Sequence, residues 1–98
     1  MPSYRVIMAI GRLAPGVRPD ELLPLAAAAA ADLTTLEASS VNLVSGQARL
    51  TVRFSADEDD LARQIAHQVA GATSASAEVT DWWITRGPGS RWKRIPSS

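Results

Sequence analysis

The sequence predicts an α+β sandwich, with two helices on one face of an antiparallel sheet in the order β-α-β-β-α-β and an added C-terminal β-hairpin strand. Three observations predict it. Residues 47–54 alternate strictly between apolar and polar. Two segments, 19–33 and 56–70, carry apolar residues at helical spacing. Pro15-Gly16, Ser45-Gly46 and Gly87-Pro88-Gly89 punctuate what remains into strand-length pieces. At 98 residues the chain is expected to form one domain, its core over 3–86 and a C-terminal hairpin over 87–98.

The first strand is Tyr4 to Leu13. Tyr4, Val6, Met8 and Ile10 share one face, and Arg5, Ile7, Ala9 and Gly11 share the other. Both faces are partly apolar, as expected of a central strand. The first helix lies within Pro19 to Leu33, with Leu22, Leu25, Ala26, Ala29 and Leu33 as its stripe. Pro24 is expected in its first turn, where a missing N–H costs nothing. Thr35 to Val44 is a weaker strand, joined through Ser45-Gly46 to Gln47–Phe54.

Ser55 and Glu58 have the spacing of a capping box, so the second helix is expected to follow directly and to end near Ala70, with Gly71 just beyond. Its stripe is Leu61, Ala62, Ile65, Ala66 and Val69. Ala77 to Arg86 is a strand rich in Val, Thr, Trp and Ile. After a turn at 87–90, Trp92 to Ile95 returns beside it, and Pro96 ends the ladder. Two helices then cover one sheet face in the ferredoxin-like arrangement.

The uncovered face must meet water or a partner. Arg5, Ile7 and Ala9 of the first strand and Arg49, Thr51 and Arg53 of the third point toward it. Trp82 and Trp83 are strand neighbours, so their side chains take opposite faces. One of them is therefore a candidate for the open face or for cover by the C-terminal strand. Aromatic and arginine side chains suit an interface anchor.

Composition excludes much chemistry. The chain has no cysteine, so disulfides, thiolate nucleophiles and cysteine-ligated metals are excluded. A single histidine, His67, excludes multi-histidine metal sites within one chain. His67 falls on the solvent side of the second helix, an ordinary surface position. Asp57 to Asp60 lack the alternation and glycine of a calcium loop and suit a helix start, with Asp59 able to pair with Arg63. Ser39-Ser40 lacks a nucleophile-elbow context, and Gly87-Pro88-Gly89 lacks the phosphate-loop lysine. No metal or cofactor is expected. No apolar run is long enough to cross a bilayer and the start resembles a strand rather than a leader, so the chain is expected to be cytoplasmic, without membrane contact.

Ten basic and ten acidic residues cancel, which argues against a surface tuned as a whole to nucleic acid. The distribution is uneven. Residues 57–81 hold six acids and one base. The tail holds Arg86, Arg91, Lys93 and Arg94 with Trp92 among them and no acid. Alternation puts Arg91 and Lys93 on one face and Trp92 and Arg94 on the other, which splits this footprint. Nucleic-acid binding through the tail therefore ranks below self-association.

The order of elements resembles the RNA-recognition motif, but the aromatic signature of that family is missing, because Phe54 has core parity. The strand Arg5 to Ile10, with Pro15-Gly16 before Glu21-Leu22, looks similar to the opening of the dimeric α/β-barrel family, which includes antibiotic-monooxygenase-like members. That resemblance implies a homodimer with opposed sheet faces around a small-molecule cavity. It carries over no catalytic residue.

Three expectations result. The first is a small non-enzymatic binding or assembly module that forms a homodimer through its open sheet face, with a small molecule or another protein as further partners. The second is a cofactor-independent enzyme or small-ligand binder of the dimeric α/β-barrel kind. The third is a weak single-stranded nucleic-acid binder using the basic tail.

Overall fold

A computed structural model describes residues 2–87 and 91–96. The elements are β1 (Ser3–Leu13), α1 (Pro19–Ala31), β2 (Leu36–Val44), β3 (Gln47–Ser55), α2 (Asp59–Ser74), β4 (Ala77–Arg86) and β5 (Lys93–Ile95). One antiparallel sheet has the order β2-β3-β1-β4-β5, the ferredoxin-like arrangement with a fifth strand added beside β4. β5 begins at Lys93 rather than Trp92, and the expected turn at 88–90 lies outside the described residues.

Register assigns every side chain to a face. Val6 stands opposite Val52 and Ile84, and Met8 opposite Leu50 and Trp82. Tyr4, Val6, Met8 and Ile10 are buried under the helices with Leu50, Val52, Phe54 and Ile84. From above, α1 contributes Leu22, Ala26 and Ala30, and α2 contributes Ala62, Ile65, Ala66, Val69 and Ala70. The helices supply mostly methyl groups, so the sheet supplies the large core side chains.

Both helix boundaries differ from the sequence expectation. α1 starts at Pro19, whose ring suits the first helical position, and Glu21 Oε1 accepts the Arg18 N–H at 3.1 Å. Pro24 thus sits inside the helix rather than in its first turn, at an exposed position. Leu33 lies past the helix end and is 51% exposed, outside the stripe assigned to it. Ser55 caps nothing. It stays in β3 opposite Ser3, and its backbone takes bonds from the Thr34 hydroxyl and to the Thr35 carbonyl. α2 therefore begins later, with Glu58 as its N-cap, and runs through Gly71 to Ser74. Leu61 is left exposed at its start, while Thr73 is buried and its hydroxyl donates to the Val69 carbonyl.

The β2–β3 hairpin matches expectation. Val44 pairs with Gln47 across Ser45-Gly46, whose φ values of 54° and 79° are both left-handed. Such a turn has the twist that suits a two-residue hairpin. Among the described residues no helix is long and apolar enough to cross a membrane.

Tyr4 ties sheet to helix. Its ring is fully buried and stacks on Phe54 at 6.0 Å, and its hydroxyl donates to Asp59 Oδ1 at 2.7 Å in the first turn of α2. Burial, followed by the bond to the Asp59 carboxylate, pushes the phenol from its usual 10.0 up to about 12. The folded chain then holds its proton where the unfolded chain has lost it. Stability is fully retained below pH 10.0 and is lost as pH rises through about 12. Urea midpoints measured across that range should fall for the wild type. Tyr4→Phe should lower stability near neutrality and show a flatter alkaline decline; equal alkaline slopes in the two proteins would remove Tyr4 as the titrating group.

Candidate binding face

The face opposite the helices is built in rows. Ala38, Arg53, Arg5, Thr85 and Arg94 lie abreast on the five strands. The next row is Ser40, Thr51, Ile7 and Trp83. The third is Asn42, Arg49, Ala9 and Asp81. Arg5, Ile7, Ala9, Arg49, Arg53 and Trp83 thus converge as the sequence suggested.

Trp92 and Arg94 of the basic tail join them. The Arg5 guanidinium lies 3.9 Å from the Trp92 ring centre and that of Arg53 5.1 Å. Arg49 and Arg94 lie 5.2 Å and 5.5 Å from the centre of Trp83. Two tryptophans therefore each hold two arginines by cation–π attraction. Glu37, displaced toward this face at a register shift in β2, accepts from Arg53 Nε at 2.9 Å and from the Ser3 hydroxyl at 2.8 Å.

This arrangement breaks a pairing rule. Arg5 and Arg53 are direct cross-strand partners, and like charges so placed repel. Trp92 and Glu37 offset that repulsion without cancelling both charges. Arg49 Nε and Thr85 Oγ1 are buried beside this cluster with no hydrogen-bond partner within the described residues. A concavity of about 250 Å³ lies next to the arginine pair, lined by Arg5, Arg53, Ser40, Asn42 and Thr51 among others. Two guanidiniums, two hydroxyls and an amide are the groups that bind an oxyanion. None of the strand-β2 contributors was singled out from sequence. The Val44–Gln47 turn alone fixes them, since counting back from it sets Asn42 against Arg49 and Ser40 against Thr51.

The remaining candidates stand elsewhere. Trp82 is on the helix side, opposite Met8, and meets His67 edge-on with ring centres 4.7 Å apart. It does not belong to the open face, and His67, though exposed, has an aromatic neighbour that the helical wheel does not reveal. Arg86 also faces the helix side, opposite Tyr4, and donates to Asp59 Oδ1 at 3.2 Å. Arg91 and Lys93 border the same end of the molecule as Asp59 and Arg86. Arg63 pairs with Asp60 instead of Asp59 and also donates to the Pro96 carbonyl at 2.8 Å. Among the described residues no cluster of three or more acidic or histidine side chains could hold a metal ion.

The charge that cancels over the chain is separated by layer. Asp20, Glu21, Asp32, Asp57, Glu58, Asp59 and Asp60, seven of the ten acids, lie in or beside the helices, with Arg18 and Arg63 as their basic neighbours. The open face has Arg5, Arg49, Arg53 and Arg94 against Glu37 and Asp81, and the Asp81 carboxylate accepts the Trp82 N–H. Comparison with protein-family models, curated proteins and solved structures gives no match.

Proposed function

We propose that this is a small non-enzymatic cytoplasmic binding module whose open sheet face receives single-stranded nucleic acid. The Arg5–Arg53 cross-strand pair under Trp92 carries the reading. A fold that sets two cations side by side loses stability locally, and such a departure is expected at a functional surface. A phosphate between the two guanidiniums relieves the repulsion. Arginine with tryptophan on one sheet face supplies the two contacts that single strands use, backbone charge and a planar ring. The tail alone offers a split footprint, whereas Trp92 and Arg94 together with the strand arginines form a contiguous one.

The homodimer with opposed sheet faces is the second reading, favoured by half-buried Ile7 and Trp83 at the centre of the face. A two-fold axis there brings one arginine row toward its copy, which disfavours it. The enclosed cavity that a dimeric α/β-barrel enzyme needs would depend on the same pairing.

The test is titration of a fluorescent single strand at about 50 mM and 200 mM salt. Binding should weaken steeply with salt, and Arg5→Ala should reduce the log–log slope by about 0.7, the share of one phosphate contact on a single strand. Arg63→Ala, on the helical layer, should leave the slope unchanged. Absence of binding at the lower salt, or equal effects of the two substitutions, would reject the proposal.

A further inference from the structure

The two edges of the sheet are treated differently. β5 is three residues long, carries Lys93 and Arg94, and is followed by Pro96. These are devices that protect an edge from pairing. β2, at the opposite edge, has nine residues and none of them. Its one charge, Glu37, is engaged by Arg53 and Ser3. From Ala38 to Ala48 there is no charged residue and no proline.

This edge is also apolar. Val41 is 49% exposed and Leu43 75%. Both point to the helix side, opposite Leu50 and Ala48, at a place α1 does not cover. There they line a groove of about 730 Å³ with Ile10, Leu13, Pro19 and Leu22.

We propose that β2 pairs antiparallel with β2 of a second copy, with Asn42 on the two-fold axis. Self-complementarity selects this occupant and this register. Residues whose numbers sum to 84 then stand opposite each other. Val41 meets the second copy's Leu43, and Leu43 meets the second copy's Val41, so four exposed apolar side chains close over the mouths of both grooves. Asn42 meets its own copy, where each amide both donates and accepts. Glu37 falls outside the overlap, so no like charges meet. A charged or nucleic-acid partner gains nothing from so neutral a strand. The axis is perpendicular to the sheet, so both open faces lie on the same side of a ten-stranded sheet. The pairing itself does not depend on what that face binds.

Sedimentation of the protein at high micromolar concentration, without nucleic acid, tests this. The wild type should be a dimer. Leu43→Lys should be a monomer with unchanged far-ultraviolet circular dichroism, since that side chain supports no core. Ile7→Glu, on the open face, should remain a dimer. The chain lacks cysteine, so Asn42→Cys gives a clean cross-link. Directly opposite residues of an antiparallel pair have the Cα separation a disulfide needs, and Asn42→Cys should become covalently dimeric on mild oxidation while Ser40→Cys should not. A monomeric wild type, a dimeric Leu43→Lys, or cross-linking of both cysteine variants alike would overturn the proposal.

Discussion

Phe54→Ala is expected to destabilise the fold by about 3–5 kcal/mol, the range for emptying a buried aromatic site. Phe54 is fully buried, stands opposite both Tyr4 and Leu36, and stacks on the Tyr4 ring. Few groups can fill the space it leaves. The helices above it present chiefly alanines, and backbone pairing on both sides prevents β3 from moving inward. A domain of this size has a total stability of roughly 5–15 kcal/mol, so a loss of that size leaves a much reduced urea midpoint. Leu33→Ala is the comparison. Leu33 is just past α1 and 51% exposed, so its truncation should stay within about 0.5 kcal/mol. Comparable midpoint shifts for the two variants would mean that the sheet does not provide the large core side chains.

The two arginine faces, the core faces of β1 and β3 and the hairpin turn were readable because alternation in those strands is regular. β4 was harder for a specific reason. Ala9 pairs with Asp81 but Ile10 pairs with Val79, so β4 has one extra residue at Thr80. That bulge puts Ala77 and Val79 on the same face as Trp82 and Ile84, although their parities differ in sequence. Without it, no count along the strand decides which tryptophan is covered. The helix starts were misplaced by a different competition. Ser55 has the spacing of a cap, but its backbone is already used by Ser3, Thr34 and Thr35. Local chemistry permits the cap; long-range pairing takes the residue.

Net charge misled most. Equal numbers of acids and bases describe a neutral molecule only if they are mixed in space. Here helix-terminal acids gather on one layer because they complement helix dipoles. Strand arginines gather on the other because alternation directs Arg5, Arg49 and Arg53 the same way. Secondary structure itself thus sorts a neutral composition into a dipolar molecule, and the sorting appears only once the elements are stacked.

Gly87→Ala is expected to disable the open face while leaving the core intact. Gly87 is buried, and its N–H donates to the Ser3 carbonyl at 2.9 Å. Its φ is not left-handed, so an alanine backbone fits there without strain. The obstacle is Trp92. A methyl group at this position would lie 2.8 Å from Cη2 and Cζ2 of that ring, closer than real contacts allow. A rigid indole cannot bend away from three of its own atoms, so it must leave its place over Arg5 and Arg53. Stacking on one aromatic ring contributes about 1–3 kcal/mol per base, so single-strand affinity should fall roughly 5- to 150-fold. Trp92→Ala should cause the same loss, and the double variant should lose no more than either alone, because both act on one ring. Gly71→Ala provides the contrast. Gly71 lies within α2 with nothing near its missing methyl, so the substitution should stabilise by about 0.5–1 kcal/mol and leave affinity unchanged. If Gly87→Ala binds as tightly as wild type while Trp92→Ala does not, the ring has another way to sit on the arginines, and the glycine does not set its position.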